Sequence, residues 1–255
     1  MVDTNVAFDV TLSGRKRHKS AINFYQKHQG MSLEISGKIL IEINEILAES
    51  FSSLVTRIRE SLKHLERSGK AWDELSPAQK RKALIEIEDS INKDKQLIKK
   101  NRLDFVLDGY QKLESFFATS SFDEIQDILI SIPEDLSDEI DKKITSLFLP
   151  ISIPIHENHK AEVRKKIDEE IVSKHFNPRS DGKDKDIVVE LIIILTFGTE
   201  KRAFSKLTFF TEDKGFKKNY ESLLKAHGNE EMSNDDEISE LYDNTVNSLV
   251  VEMAY

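Results

Sequence analysis

There is no cysteine among the 255 residues, which excludes both a disulfide framework and a thiolate-bound metal. No stretch approaches the roughly 18 apolar residues that a membrane-spanning helix needs. The N-terminus lacks a basic flank followed by an apolar run, so no secretory leader is expected and a cytoplasmic protein without a membrane partner fits. No phosphate-cradling glycine loop of the G-x-x-x-x-G-K-S/T kind occurs, nor the H-E-x-x-H spacing of zinc proteases. Internal repeats, low-complexity linkers and an obvious helix–hairpin–helix element for DNA are missing too. A nucleotide-hydrolysing loop, a secreted scaffold and a membrane protein are thereby set aside.

The formal net charge of −9 looks unsuited to a nucleic-acid partner until it is divided along the chain. Gly228–Tyr255 carries eight acids and no Lys or Arg, so the rest of the chain is close to neutral. Within that remainder Arg15, Lys16 and Arg17 form one basic cluster, and Lys214, Lys217 and Lys218 form another. Such local patches can bind phosphates even when the whole chain is acidic. The acidic tail, read as helical from about Asp236, is expected to solubilise the protein, to dimerise it, or to fold over the basic clusters.

Residues 1–6 read as a strand, 18–29 as a helix and Leu33–Ser36 as a second strand. Ile39, Ile43, Ile46, Leu47, Phe51, Leu54 and Ile58 then recur at helical spacing. Residues 50–145 read as almost purely helical, with Ser76-Pro77 starting a long helix towards Phe117 and a capping box at Ser121. Trp72, Phe105, Tyr110, Phe116 and Phe117 sit at spacings typical of a core. A strand near Leu147–Ile153, a helix over 157–175 and a turn-rich loop at 177–182 follow. His156 and His159 lack a third ligand and are read as helix-start residues. Asp186 is taken to open a very apolar helix, and Lys206–Phe210 a strand ending at Thr211. Strands alternating with helices imply a parallel sheet covered on both faces. The expected fold is therefore α/β, with 1–49 and 146–227 as the core, 50–145 as a helical insertion and 228–255 as a tail.

In an open parallel sheet ligands collect at the C-terminal strand ends. Asp3, Glu42, Asp186 and Asp213 are all expected there, with Asp184 an alternative to Asp186. Converging carboxylates repel and raise one another's pKa unless a cation joins them. Oxygen-only ligands select a hard divalent ion, Mg²⁺ or Mn²⁺. Two such ions can clamp a phosphodiester without a protein nucleophile. Asn5, Thr211 and Glu190 are expected to support the carboxylates, and Lys214, Arg15, Lys16 and Arg17 to hold substrate phosphates.

The segments Val2-Asp3-Thr4-Asn5-Val6, Leu40-Ile41-Glu42-Ile43, Asp186-Ile187-Val188 and Phe210-Thr211-Glu212-Asp213-Lys214-Gly215 resemble a PIN-domain nuclease. The resemblance covers about 1–49 and 147–220, and the large helical insertion is closer to the bigger PIN-like variants. It implies a PIN-like central parallel sheet flanked by helices and a Mg²⁺ or Mn²⁺ site of three or four acids. It further implies hydrolytic cleavage, usually of RNA. Members include toxins paired with antitoxins, RNA-processing enzymes and defence nucleases, so an antitoxin-like protein regulator or a homodimer is a possible partner. The sequence departs from the pattern at Gly215, where a further acid often stands. The alternatives are an inactive PIN scaffold that binds or regulates, and a structure-selective DNA nuclease.

Overall fold

The computed structural model describes residues 1–69, 71–151, 162, 164, 165, 167–173, 176, 182–198, 203, 205–227 and 248–255. His156, His159, the loop at 177–181 and the acidic stretch 228–247 lie outside the described residues, as do 157–161, 163, 166, 174 and 175 of the helix expected over 157–175, within which Ile167–Val172 is a π-helix. The chain is mixed α and β and mostly helical, with small parallel sheets. Among the described residues no helix is long and apolar enough to cross a membrane. Two compact units are present. One comprises Met1–Val10, Lys19–Glu42 and Thr145–Tyr255; the other comprises Thr11–His18 and Ile43–Ile144.

In the first unit, β1 (Glu34–Ser36) pairs in parallel with β2 (Leu149–Ile151), and β3 (Leu207–Thr211) pairs in parallel with β4 (Leu249–Met253). The chain start lies between the two pairs. Val2 donates its N–H to the Glu34 carbonyl at 2.9 Å, and Asp3 donates to Phe210 at 2.9 Å. The expected strand over residues 1–6 is reduced to a single parallel bridge, Val2 to Phe210, because Thr4 already begins a helix. The Asp3 carbonyl accepts the Ala7 N–H at 3.0 Å, starting helix α1 (Thr4–Thr11), which buries Val6, Ala7, Phe8 and Val10. Apolar groups in consecutive and i,i+4 positions suit a helix buried nearly all round, and this preference overrides the β-branched valines. Helix α2 (His18–Lys27) follows, as its periodicity indicates. The end of the chain corrects the helical reading of the tail, because Leu249–Met253 is a strand with Leu249 and Val251 buried.

Helix α3 (Gly37–Arg67) contributes Gly37–Glu42 to the first unit and Ile43–Arg67 to the second. The second unit contains the described residues of α4 (Pro77–Asn92), α5 (Lys95–Lys99), α6 (Leu103–Phe117) and α7 (Phe122–Leu147) up to Ile144. The single helix expected from Ser76 to Phe117 is three. Asp94 stops the first, because its side chain accepts the N–H groups of Gln96 and Leu97 and caps the next. Asn101 stops that one with a φ of 53°, a left-handed conformation that Asn tolerates better than most residues. Both expected capping devices are present, at Ser76 with Gln79 and at Ser121 with Glu124. Trp72, Phe105, Tyr110 and Phe117 are core residues, whereas Phe116 is exposed. Tyr110 donates to the Leu84 carbonyl at 2.7 Å, and Trp72 donates to Ser120 at 3.0 Å.

Gly109 is closely packed within this helical core. A Cβ there would stand 3.0 Å from Leu136 Cδ1 and 3.1 Å from Phe51 Cε1. Gly109→Ala gains about 1 kcal/mol of helix propensity, but overpacking of two buried side chains costs about 2–3 kcal/mol. The expected result is a net loss of about 1–2 kcal/mol in urea unfolding, with an unchanged m-value.

Candidate active site

Helix α8 (Gly182–Phe197) buries every residue from Ile187 to Leu195. It begins four residues before Asp186, which corrects the reading of Asp186 as its opening residue. Asp184 is the acid of its first turn, where a negative charge suits the helix dipole. Two residues along a helix is a rotation of about 200°, so Asp184 and Asp186 face opposite ways.

Asp3 is 8% exposed and sits between the Val2 bridge and the start of α1. Its Oδ1 accepts the Thr4 N–H at 2.7 Å, and its Oδ2 accepts the Thr211 hydroxyl at 2.8 Å. The Thr4 hydroxyl donates in turn to Glu42 Oε2 at 2.5 Å. Thr4 therefore bridges two of the anticipated acids, one through its backbone and one through its side chain. Burial pushes the Asp3 carboxyl up to about 7, with Glu42 and then Asp184 adding to the rise by like charge. The Thr211 and Thr4 hydrogen bonds act against it. Glu42 and Asp184 are thus each in electrostatic reach of Asp3.

The remaining residues have other surroundings. Asp186 lies 4.0 Å from Lys38 Nζ and is half exposed. Asp213 Oδ1 accepts the Gly215 and Phe216 N–H groups at 2.6 and 3.1 Å, capping helix α9 (Lys214–His227). A Cβ at 215 would meet that oxygen at 3.0 Å, so Gly215 fits the cap. Thr211, wholly buried, accepts the Asp213 N–H at 2.9 Å while donating to Asp3. It connects the two acids without bringing their carboxylates together. Lys214 is exposed at the start of α9, and Asn5 is half-buried in the first turn of α1. Arg15, Lys16 and Arg17 belong to the other unit, where Arg15 donates to the Asn101 carbonyl at 2.7 Å.

Glu190 is the one charge within the buried run of α8. Its Oε2 accepts the Ser36 hydroxyl at 2.6 Å, and both its oxygens lie within 3.3 Å of the Lys38 N–H. Burial raises its pKa, against the Ser36 and Lys38 hydrogen bonds and the positive charges of Arg164 and Lys38. It shares the Lys38 side of the helix with Asp186, one turn away, and ties α8 to the start of α3.

Among the described residues no three His, Asp or Glu side chains stand close enough as they are to hold a metal ion. A cleft of about 400 Å³ in the same unit, lined by Tyr25, Met31, Ser146 and Leu149 among others, contains none of these acids. Two side chains that hold these acids were not singled out from sequence, Thr4 and Ser36. Thr4 had a visible signal, since it stands between Asp3 and Asn5 in the opening motif; Ser36 had none beyond ending a strand. No protein-family model, characterised protein or solved structure matches this chain.

Proposed function

We propose that the protein is a PIN-like, divalent-metal-dependent endonuclease that hydrolyses RNA, with Asp3, Glu42 and Asp184 as its metal-facing acids. One observation carries this reading. A buried carboxylate whose pKa is raised to about 7 has acids as its strongest charged neighbours, and one threonine holds two of them together. Such a site is short of positive charge, and its all-oxygen donors match Mg²⁺ or Mn²⁺. The bonding order β2, β1, Met1–Asp3, β3, β4 supports a single PIN-like parallel sheet, with Asp3 at the exit of its central segment.

When bound, the metal supplies charge neutralisation for the acids and for the phosphodiester. Asp3 is held for that task by Thr211 and Thr4, which fix both of its oxygens. Glu42 is held by the Thr4 hydroxyl, so the carboxylates are oriented before substrate arrives. In the reaction water adds to phosphorus and the bond to the 3′ oxygen breaks. The departing oxygen takes a proton, leaving 5′-phosphate and 3′-hydroxyl ends. Glu190 and Asp213 act by positioning α8 and α9. Asp3, Glu42 and Asp184 are the residues that would hold the cation, with Glu42 and Asp184 closing on Asp3.

The test is cleavage of labelled single-stranded RNA and DNA in Mn²⁺, with EDTA as control. Asp184→Asn is expected to lower the rate at least about a hundredfold, as loss of a metal ligand does. Asp186→Asn, which faces Lys38, is expected to stay within a few-fold of wild type. Preferred cleavage of DNA would reassign the substrate. No cleavage by a protein that folds would favour a second reading, an inactive scaffold that binds or regulates. The absence of three acids already at ligand spacing among the described residues supports that alternative.

A further inference from the structure

Charge in the helical unit is segregated rather than mixed. From Leu103 to Asp141 there are eleven acids against a single base, Lys112. The ten residues before that, Lys93–Arg102, carry Lys93, Lys95, Lys99, Lys100 and Arg102 against Asp94 alone. Asp94 does not offset them at the surface. It is buried, caps α5, and is neutralised by Arg57 at 2.6 Å. The fold then adds a second basic segment from far away in sequence. Arg15 donates to the Asn101 carbonyl, which brings Arg15, Lys16 and Arg17 beside the end of α5.

We propose that this surface, Arg15–Arg17 together with Lys95, Lys99, Lys100 and Arg102, is a binding site for the phosphate backbone of a nucleic-acid strand. Lys95 and Lys99 are exposed and one helical turn apart, so they project from the same side of α5. Among the described residues neither forms an ion pair with a carboxylate. Exposed amides at Asn92, Gln96 and Asn101 stand among the cations, a mixture suited to phosphate and sugar oxygens. Ile98 is the one exposed apolar side chain of the segment, far short of the apolar face that a membrane-bound helix buries. Glu49 tempers the patch by pairing with Lys100 and, at 2.5 Å, with Arg102; those cations hold its carboxyl down at about 2. Asp104, near Gly14, is the other acid at its border.

The inference rests on the nucleic-acid part of the reading above and not on cleavage. It is therefore tested in EDTA, where the metal site contributes nothing. The full chain is titrated into a fluorescein-labelled single-stranded RNA of about 20 nucleotides by anisotropy, over a range of salt concentrations. A double Lys95→Gln/Lys99→Gln variant is expected to bind about tenfold more weakly at low salt. Its log–log salt slope should be shallower by about 1.4, the value for two lost phosphate contacts on a single strand. Lys143→Gln, an equal loss of charge per site on α7 where Lys143 pairs with Glu139, should leave the slope unchanged. Glu49→Gln should tighten binding about threefold by freeing Lys100 and Arg102. Wild-type affinity and slope in the double variant would overturn the proposal. So would binding to phosphatidylserine vesicles without binding to RNA. An inactive protein that still shows the expected slopes would remove the nuclease reading and leave this surface standing.

Discussion

Asp3→Asn is expected to make the metal-free protein more stable while abolishing its response to Mn²⁺. The folded Asp3 carboxyl has a pKa of about 7 against an ordinary 3.8, so the fold prefers its protonated form. The sign follows from linkage. Between those two values the folded state binds more protons than the unfolded state, so wild-type stability falls as pH rises, and the loss is complete above about 7. Asparagine carries no charge to bury. Its carbonyl can accept the Thr4 N–H, and its amide can donate to Thr211, whose hydroxyl oxygen has room for a second donor. At pH 8 in EDTA the variant should be more stable by about 2–4 kcal/mol, the advantage fading towards pH 4.

Mn²⁺ reverses the order. A cation that binds the folded state raises the melting temperature of wild type by mass action, and the variant, lacking the central carboxylate, should not respond. Below pH 7 the metal must displace a proton from Asp3, so its affinity should fall about tenfold per pH unit. Thermal melts of both proteins at pH 5, 6, 7 and 8, with and without Mn²⁺, check all of this. An Asp3→Asn protein less stable than wild type at every pH would mean that the charge serves the fold instead.

Glu190→Ala is the second large effect, in the opposite direction. Truncation leaves the buried Ser36 hydroxyl and the Lys38 N–H without their acceptor and opens a void within the apolar run of α8. Cavity and unsatisfied donors together are expected to cost about 3–5 kcal/mol. Glu190→Gln keeps an acceptor for Ser36 and removes the buried charge, so it should be near wild type at pH 7. The folded pKa of Glu190 lies above its ordinary value, so wild-type stability from this group declines as pH rises through the folded pKa. The Gln variant should lack that decline. Urea unfolding at two pH values separates the variants. If Gln proved as damaging as Ala, the ionised carboxylate itself would be holding α8 against α3.

Much of the local structure was legible because it is set by neighbours in sequence. The period of Ile39 to Ile58 marks α3, the Ser76 and Ser121 caps start their helices, and β1 and β3 follow from short β-rich runs. The acids Asp3 and Glu42 stood out because each follows a short β-rich run, although the first run makes only a single bridge at Val2. Boundaries failed where one residue decides them. Asp94 and Asn101 break the expected long helix through a cap and a left-handed turn, and both are also ordinary residues inside helices. The start of α8 at Gly182 was missed because Gly182 and the charged residues after it look like loop, so Asp186 was placed at the start of a helix that it stands inside.

The sequence by itself determined which residues are apolar, where the long periodic helix α3 runs, and that no cysteine can supply a thiolate ligand. Its residue types also determined that any metal here would meet oxygen. Only tertiary structure decided which acids meet. Asp184 acts on Asp3 while Asp186 faces Lys38, because two residues on a helix point about 200° apart and packing fixes the helix's rotation. It decided likewise that Thr4 spans Asp3 and Glu42, and that Arg15 meets Asn101, 86 positions away, just past a basic helix. Burial and charge act through distance in space, so a carboxylate's pKa is not a property of its place in the chain.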